Sequence, residues 1–123
     1  MKQTSKFSII NRIKSFGFAF NGLKLIFKTE HNLWIHSFAT IVVIILGFYL
    51  NVNLIEWCVL VFAIGFVFVA EIVNSAIEYI TDIVSPEINI NAKNIKDIAA
   101  AAVFVASLSA YIIGLIVFIP KIF

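Results

Sequence analysis

Three apolar runs dominate the chain and set its first reading. One is Leu33 to Leu50, LWIHSFATIVVIILGFYL, and another is Ile98 to Ile119, IAAAAVFVASLSAYIIGLIVFI, which opens in alanines and meets Pro120, where the pattern predicts a helix stop. Between them, Ile55 to Val84 begins as WCVLVFAIGFVFVA and continues as EIVNSAIEYITDIV, so its second half carries ionisable groups. A hydrocarbon core of about 30 Å takes roughly 20 apolar helical residues to cross, and the runs predict transmembrane helices over 33–50, 55–84 and 98–119. Ahead of them Phe7, Ile10, Ile13, Phe16, Phe20, Leu23 and Phe27 recur every three or four residues, with Lys6, Arg12, Lys14, Lys24 and Lys28 in between. That spacing predicts an amphipathic helix over 5–30 lying in the membrane surface. The fold class expected is therefore all-α integral membrane, with three spans and an N-terminal surface helix in one domain over 1–123.

Composition supports the same class. Of 123 residues, 62% are apolar and 13% charged, with 13 phenylalanines, against about 45–50% and about 25% in globular chains. The one cysteine, Cys58, excludes a disulfide framework and a CxxC metal site. The basic start resembles a signal peptide, but no small-residue cleavage site follows the first apolar run, so retention is expected. Lys2, Lys6, Arg12, Lys14, Lys24 and Lys28 precede the first span, Asn51 to Leu54 holds no lysine or arginine, Lys93 and Lys96 lie between the second and third spans, and Lys121 stands near the end. Such an asymmetry predicts a cytoplasmic N-terminus and second loop, a tight outer turn at Asn51 to Leu54, and an outer C-terminus.

At 100° per residue, Glu71, Asn74, Ser75, Glu78 and Asp82 share one stripe of the second span. Three carboxylates at membrane depth cost several kcal/mol, and such groups normally face a bundle interior or an aqueous cavity and mark function. The bland reading, a polar seam that glues helices, fits Asn74 and Ser75 better than it fits three acids with no basic residue on the same helix. With a rise of about 1.5 Å per residue, Glu71 falls about 24 Å from the outer end, a turn short of the inner surface. Glu78 falls at or just below that surface. One acid is thus placed for a lipid head group and the other for a cytoplasmic solute or metal.

Mg²⁺ prefers carboxylate oxygens and brings phosphates with it, and Glu30, between surface helix and first span, is placed to supply a second carboxylate. As a lone acid Glu30 would be a solvated helix-end residue. Lys96, beside Asp97 and ahead of the third span, is a snorkelling anchor if taken alone, but facing a bound metal it suits nucleotide phosphates. His31 and His36 match no zinc spacing, and His36 reads as a hydrogen-bonded bundle residue. The chain has no phosphate loop, kinase glycine-rich loop or zincin motif. Two other classes remain open on these residues: a small proton- or cation-coupled transporter using Glu71, and a non-catalytic interaction subunit in which the stripe serves assembly.

The segments FAFNGLKLIFKTEHNLWIH, AEIVNSAIEYITDIVSPE and AKNIKDIAAAAV resemble the prokaryotic diacylglycerol kinase and undecaprenol kinase family of small membrane lipid kinases. The resemblance runs in order from Phe16 to the end of the third span. It implies a homotrimer with composite sites and transfer of the γ-phosphoryl group of MgATP to a lipid alcohol, either diacylglycerol or undecaprenol, with Mg²⁺ as the cofactor and no nucleic-acid partner. It further implies Glu71 as the base on the lipid hydroxyl with Asn74 beside it, and Glu30 and Glu78 as the metal carboxylates. Arg12, Phe18, Glu87, Lys96 and Asp97 are implied around the nucleotide. The location implied is the bacterial inner membrane, with the active site on the cytoplasmic side. The chain departs from the family pattern at Trp34, where an arginine is frequent, and at Ile88 to Ile90, where a Tyr-His-Pro type of sequence is usual.

Overall fold

The computed structural model of the protein describes residues 8–123. Every regular element among them is a helix: α1 Ile9–Thr29, α2 His31–Tyr49, α3 Leu54–Val84 and α4 Ile90–Ile122. Lys2, Lys6 and Phe7, with the first residues of the predicted surface helix, lie outside the described residues. α2, α3 and α4 are each long and apolar enough to cross a membrane, in keeping with the three predicted spans.

α1 starts at Ser8, whose hydroxyl oxygen accepts the Asn11 N–H, and ends at Glu30. Glu30 is a one-residue corner: its extended backbone (φ −112°, ψ 113°) closes α1 through its N–H to the Ile26 carbonyl at 2.8 Å and opens α2 at the next residue. Its side chain makes no cap bond. The corner is fixed from outside by Trp34, whose Nε1–H donates to the Phe27 carbonyl at 2.8 Å while the two rings meet edge-on. Phe27 also meets Phe68 of α3, and Leu33 is fully buried beside the corner.

α2 and α3 are joined by a tight turn, as the sequence predicts. Asn51 takes the left-handed conformation (φ 56°), which asparagine tolerates better than branched residues. Its neighbours complete a Schellman closure, with Val52 N–H bonding the Gly47 carbonyl and Asn51 N–H the Phe48 carbonyl. α3 then opens on a capping box in which Asn53 and Glu56 exchange side-chain-to-backbone bonds at 2.9 Å. Gly47 is required here by its neighbour, since a Cβ would fall 2.8 Å from Cζ2 of Trp57.

α3 and α4 form the principal pair, and α2 lies along α3. Ala92, Ala99 and Ala106, seven residues apart, are buried on α4, so small side chains let the backbones approach. At the turn end Val52, Leu60, Val117 and Phe118 form a core with Trp57 and Leu46 packed against it. There Lys121 pairs with Glu56 at 3.0 Å, tying the last turn of α4 to the first of α3.

Two predicted features are corrected. α4 begins at Ile90, eight residues before the predicted start, capped by Asn89 through a 2.9 Å bond from the Ala92 N–H. Lys93, Lys96 and Asp97 are therefore helical and not part of a loop. The physical reason is length: 31 and 33 residues make α3 and α4 about 46 and 50 Å long, well beyond a core of about 30 Å. Their polar ends continue as helix past the apolar stretch. Nor does Pro120 stop α4, which runs to Ile122; in the last turn a proline removes one hydrogen bond without breaking the helix.

Candidate active site

The most deeply buried carboxylate among the described residues is Glu71, which is 1% exposed on α3. A buried carboxylate needs a partner, and His36 of α2 supplies it, with Nε2 3.0 Å from Oε1. With Glu71 ionised the oxygen can only accept, so Nε2 carries the proton. The imidazole stands edge-on to Phe68, and its backbone carbonyl accepts the Thr40 hydroxyl at 2.7 Å. Asn74 Oδ1 and Ser75 Oγ, three and four residues on, are buried without a partner among the described residues.

Above this pair an apolar cavity of about 480 Å³ opens among α2, α3 and α4. His36, Thr40, Val67 and Phe68 line its inner part, and Tyr111, Leu115, Phe118 and Phe123 its outer part. Val67 is one helical turn from Glu71, so the Glu71–His36 pair lies where the cavity meets the polar end of the bundle.

At that end Glu78, half-buried two turns beyond Glu71, interacts electrostatically with Glu30, Lys96, Asp82 and Glu71. Lys96 reaches across from α4 to bind Asp82 at 2.7 Å. Lys96 thus faces Asp82 and Glu78 of α3, and Glu78 in turn lies within electrostatic reach of Glu30 at the α1–α2 corner, both acids being only half exposed. Among the described residues no three metal-binding side chains converge on one point. Two carboxylates suffice for Mg²⁺, which completes its shell with water and phosphate oxygens, and the donors present therefore fit that ion.

The remaining predicted residues are placed less closely. Asp97 is exposed and pairs with Lys93 at 2.6 Å, one turn back on α4, instead of with its neighbour Lys96. Glu87 is exposed in the loop between α3 and α4, its carbonyl accepting from Ser85 Oγ and Asn89 Nδ2. Arg12 and Phe18 are exposed on α1, about 27 and 18 Å along the helix from Glu30. His36 and Asp82 are the functional candidates to which sequence reasoning gave least. The i to i+4 spacing of Glu78 and Asp82 was a usable signal for the second. For the first, a histidine facing an acid on another helix leaves no local pattern.

Three helices long and apolar enough to cross a membrane, with an acid buried beside an apolar cavity and a mixed-charge cluster at one end, point to a multi-pass membrane protein. The family profile described as prokaryotic diacylglycerol kinase matches residues 17–118. The chain is 39% identical over 113 residues to undecaprenol kinase of Bacillus subtilis (strain 168), covering 91% of this chain and 92% of that one. It is 33% identical over 111 residues to a diacylglycerol kinase of Synechocystis, covering 89% and 63%, and 29% identical over 100 residues to that of Escherichia coli (strain K12), covering 81% and 82%. The chain belongs to the prokaryotic diacylglycerol kinase family and is an enzyme of the lipid-kinase kind. The transporter reading is not favoured.

Proposed function

We propose that the protein transfers the γ-phosphoryl group of MgATP to the hydroxyl of a membrane lipid alcohol. The observation that carries this is the position of Glu71, buried between an apolar cavity and a charged cluster. A lipid hydroxyl carried in by its chain meets a carboxylate there, while the nucleotide stays on the polar side. Undecaprenol is the acceptor favoured, on the 39% identity over nearly the full length of both chains. A diacylglycerol is the other acceptor class.

In the reaction the lipid oxygen bonds to the γ-phosphorus, the bond from that phosphorus to the β–γ bridging oxygen breaks, and Glu71 takes the hydroxyl proton. Asn74, half-buried one turn on, is available to donate an Nδ2–H to the acceptor oxygen. Glu30 and Glu78 would hold Mg²⁺, which when bound neutralises the charge of the β- and γ-phosphates. Lys96 adds a positive charge toward the same phosphates, and Glu87 and Asp97 border the nucleotide. Phosphoryl transfer needs positioning and electrostatics more than covalent chemistry, and this set is sufficient. α1, with its exposed phenylalanines and lysines, lies in the membrane surface. The basic N-terminus supports a cytoplasmic position for that face and the active site, at the inner membrane of a bacterium, with three copies as the working unit.

The test is transfer of labelled phosphate from ATP to undecaprenol and to diacylglycerol in bilayer-reconstituted protein, with and without Mg²⁺. Magnesium-dependent labelling, faster for undecaprenol, is expected. No transfer to either lipid by folded protein would refute the reading.

A further inference from the structure

We infer that His36 is a positioning residue for the base, holding Glu71 Oε1 so that Oε2 faces the acceptor hydroxyl. The inference rests on the lipid-kinase reading above and adds to it a residue on another helix. Three observations support it. Glu71 is almost wholly out of solvent, and among the described residues its one hydrogen bond is the 3.0 Å contact to His36 Nε2. The imidazole is itself held, edge-on to Phe68 on one side, with its backbone fixed by Thr40. And His36 lines the apolar cavity, with a side chain 23% exposed, so the pair forms the polar floor on which a hydroxyl arriving through the cavity would land.

A carboxylate has two equivalent oxygens and rotates freely unless one is engaged. A donor fixed on a second helix removes that freedom and leaves a single oxygen for the substrate, which is how orienting groups act on catalytic bases. The titratable groups that interact with Glu71 are His36 from α2 and Glu78 on its own helix, and Glu30, Lys96 and Asp82 gather around Glu78 beyond it. Of these, His36 alone is in hydrogen-bond contact with it.

Three variants test the assignment. His36→Leu removes the donor, His36→Gln carries an N–H close to the position of Nε2, and His36→Asn carries one too short to reach. Expected are a kcat lower by about 10- to 100-fold for Leu and Asn, part of the span that a well-placed base contributes, and recovery to within about fivefold of wild type for Gln. KM for ATP should stay within about twofold in all three, because the nucleotide cluster is untouched. Infrared difference spectra against Glu71→Gln give a readout without turnover: the Glu71 carboxylate band should shift in the Leu variant and return in the Gln variant. Equal kcat in the Leu variant and wild type, or equal loss in Gln and Leu, would overturn the inference. Absence of lipid phosphorylation by the wild type would instead refute the kinase reading itself.

Discussion

Replacing Glu71 by glutamine separates chemistry from architecture at the centre of the site. The two side chains have the same shape, and the glutamine Oε1 accepts the His36 N–H as the carboxylate does. Hydrogen bonds to charged groups contribute about 1.5–3 kcal/mol and neutral ones about 0.5–1.5, so the exchange costs folding about 1 kcal/mol. The barrier to phosphoryl transfer changes far more. Loss of a general base slows a reaction by about 10²- to 10⁴-fold, or about 3–5 kcal/mol. Glu78 lies seven residues away, about 10 Å along the helix axis, so ATP binding is left alone. Turnover in proteoliposomes, MgATP affinity by calorimetry and thermal unfolding in detergent, measured on one preparation, give the three numbers. The expected result is kcat down by at least 100-fold, ATP affinity within twofold and unfolding shifted by a few degrees. A kcat within tenfold of wild type, or a loss matched by loss of folded protein, would refute the role given to Glu71.

Other predictions concern the charged end and the turn. Lys96→Met should raise KM for ATP more than tenfold, whereas Asp82→Asn, which breaks the same 2.7 Å pair, should leave it within about threefold; equal effects would make Lys96 a structural tie between helices. Glu78→Gln should demand more Mg²⁺ for half-maximal rate, readable by titrating the metal at saturating ATP, and an unchanged titration would remove Glu78 from the metal site. Gly47→Ala should destabilise the bundle by about 1–3 kcal/mol through overlap with Trp57, lowering the unfolding temperature, while Gly65→Ala, with open space at its Cβ, should not.

The spans and the polar stripe were legible in the sequence because both are local: twenty apolar residues, and acids at helical spacing. The short gap between the first two spans likewise announced the turn at Asn51. The start of α4 was not legible from hydropathy, since Lys93, Lys96 and Asp97 resemble a loop when judged by polarity alone. The usable signal was Asn89, three residues ahead of the Ala92 N–H it caps. Partners across helices were the other loss. Lys96 and Asp97 are adjacent in sequence, but neighbours on a helix point about 100° apart, and the structure pairs Lys96 with Asp82 and Asp97 with Lys93. The Glu71–His36 bond depends on the register of α2 against α3, which the residues flanking each do not encode.

The Glu56–Lys121 pair has a mechanical consequence. Residues 85–89 join α3 to α4 at one end, and this ion pair joins them again at the other, so the two helices form a closed frame. α2 hangs on that frame through one tight turn and one face, and α1 turns off α2 at the single residue Glu30, held there by the Trp34 bond to Phe27 and the contact of Phe27 with Phe68. Of the two carboxylates assigned to the metal, Glu78 is built into the frame and Glu30 into the arm. A Mg²⁺ ion held by both, as proposed, would tie the corner to the frame a second time, next to the tie that Phe27 already makes to Phe68.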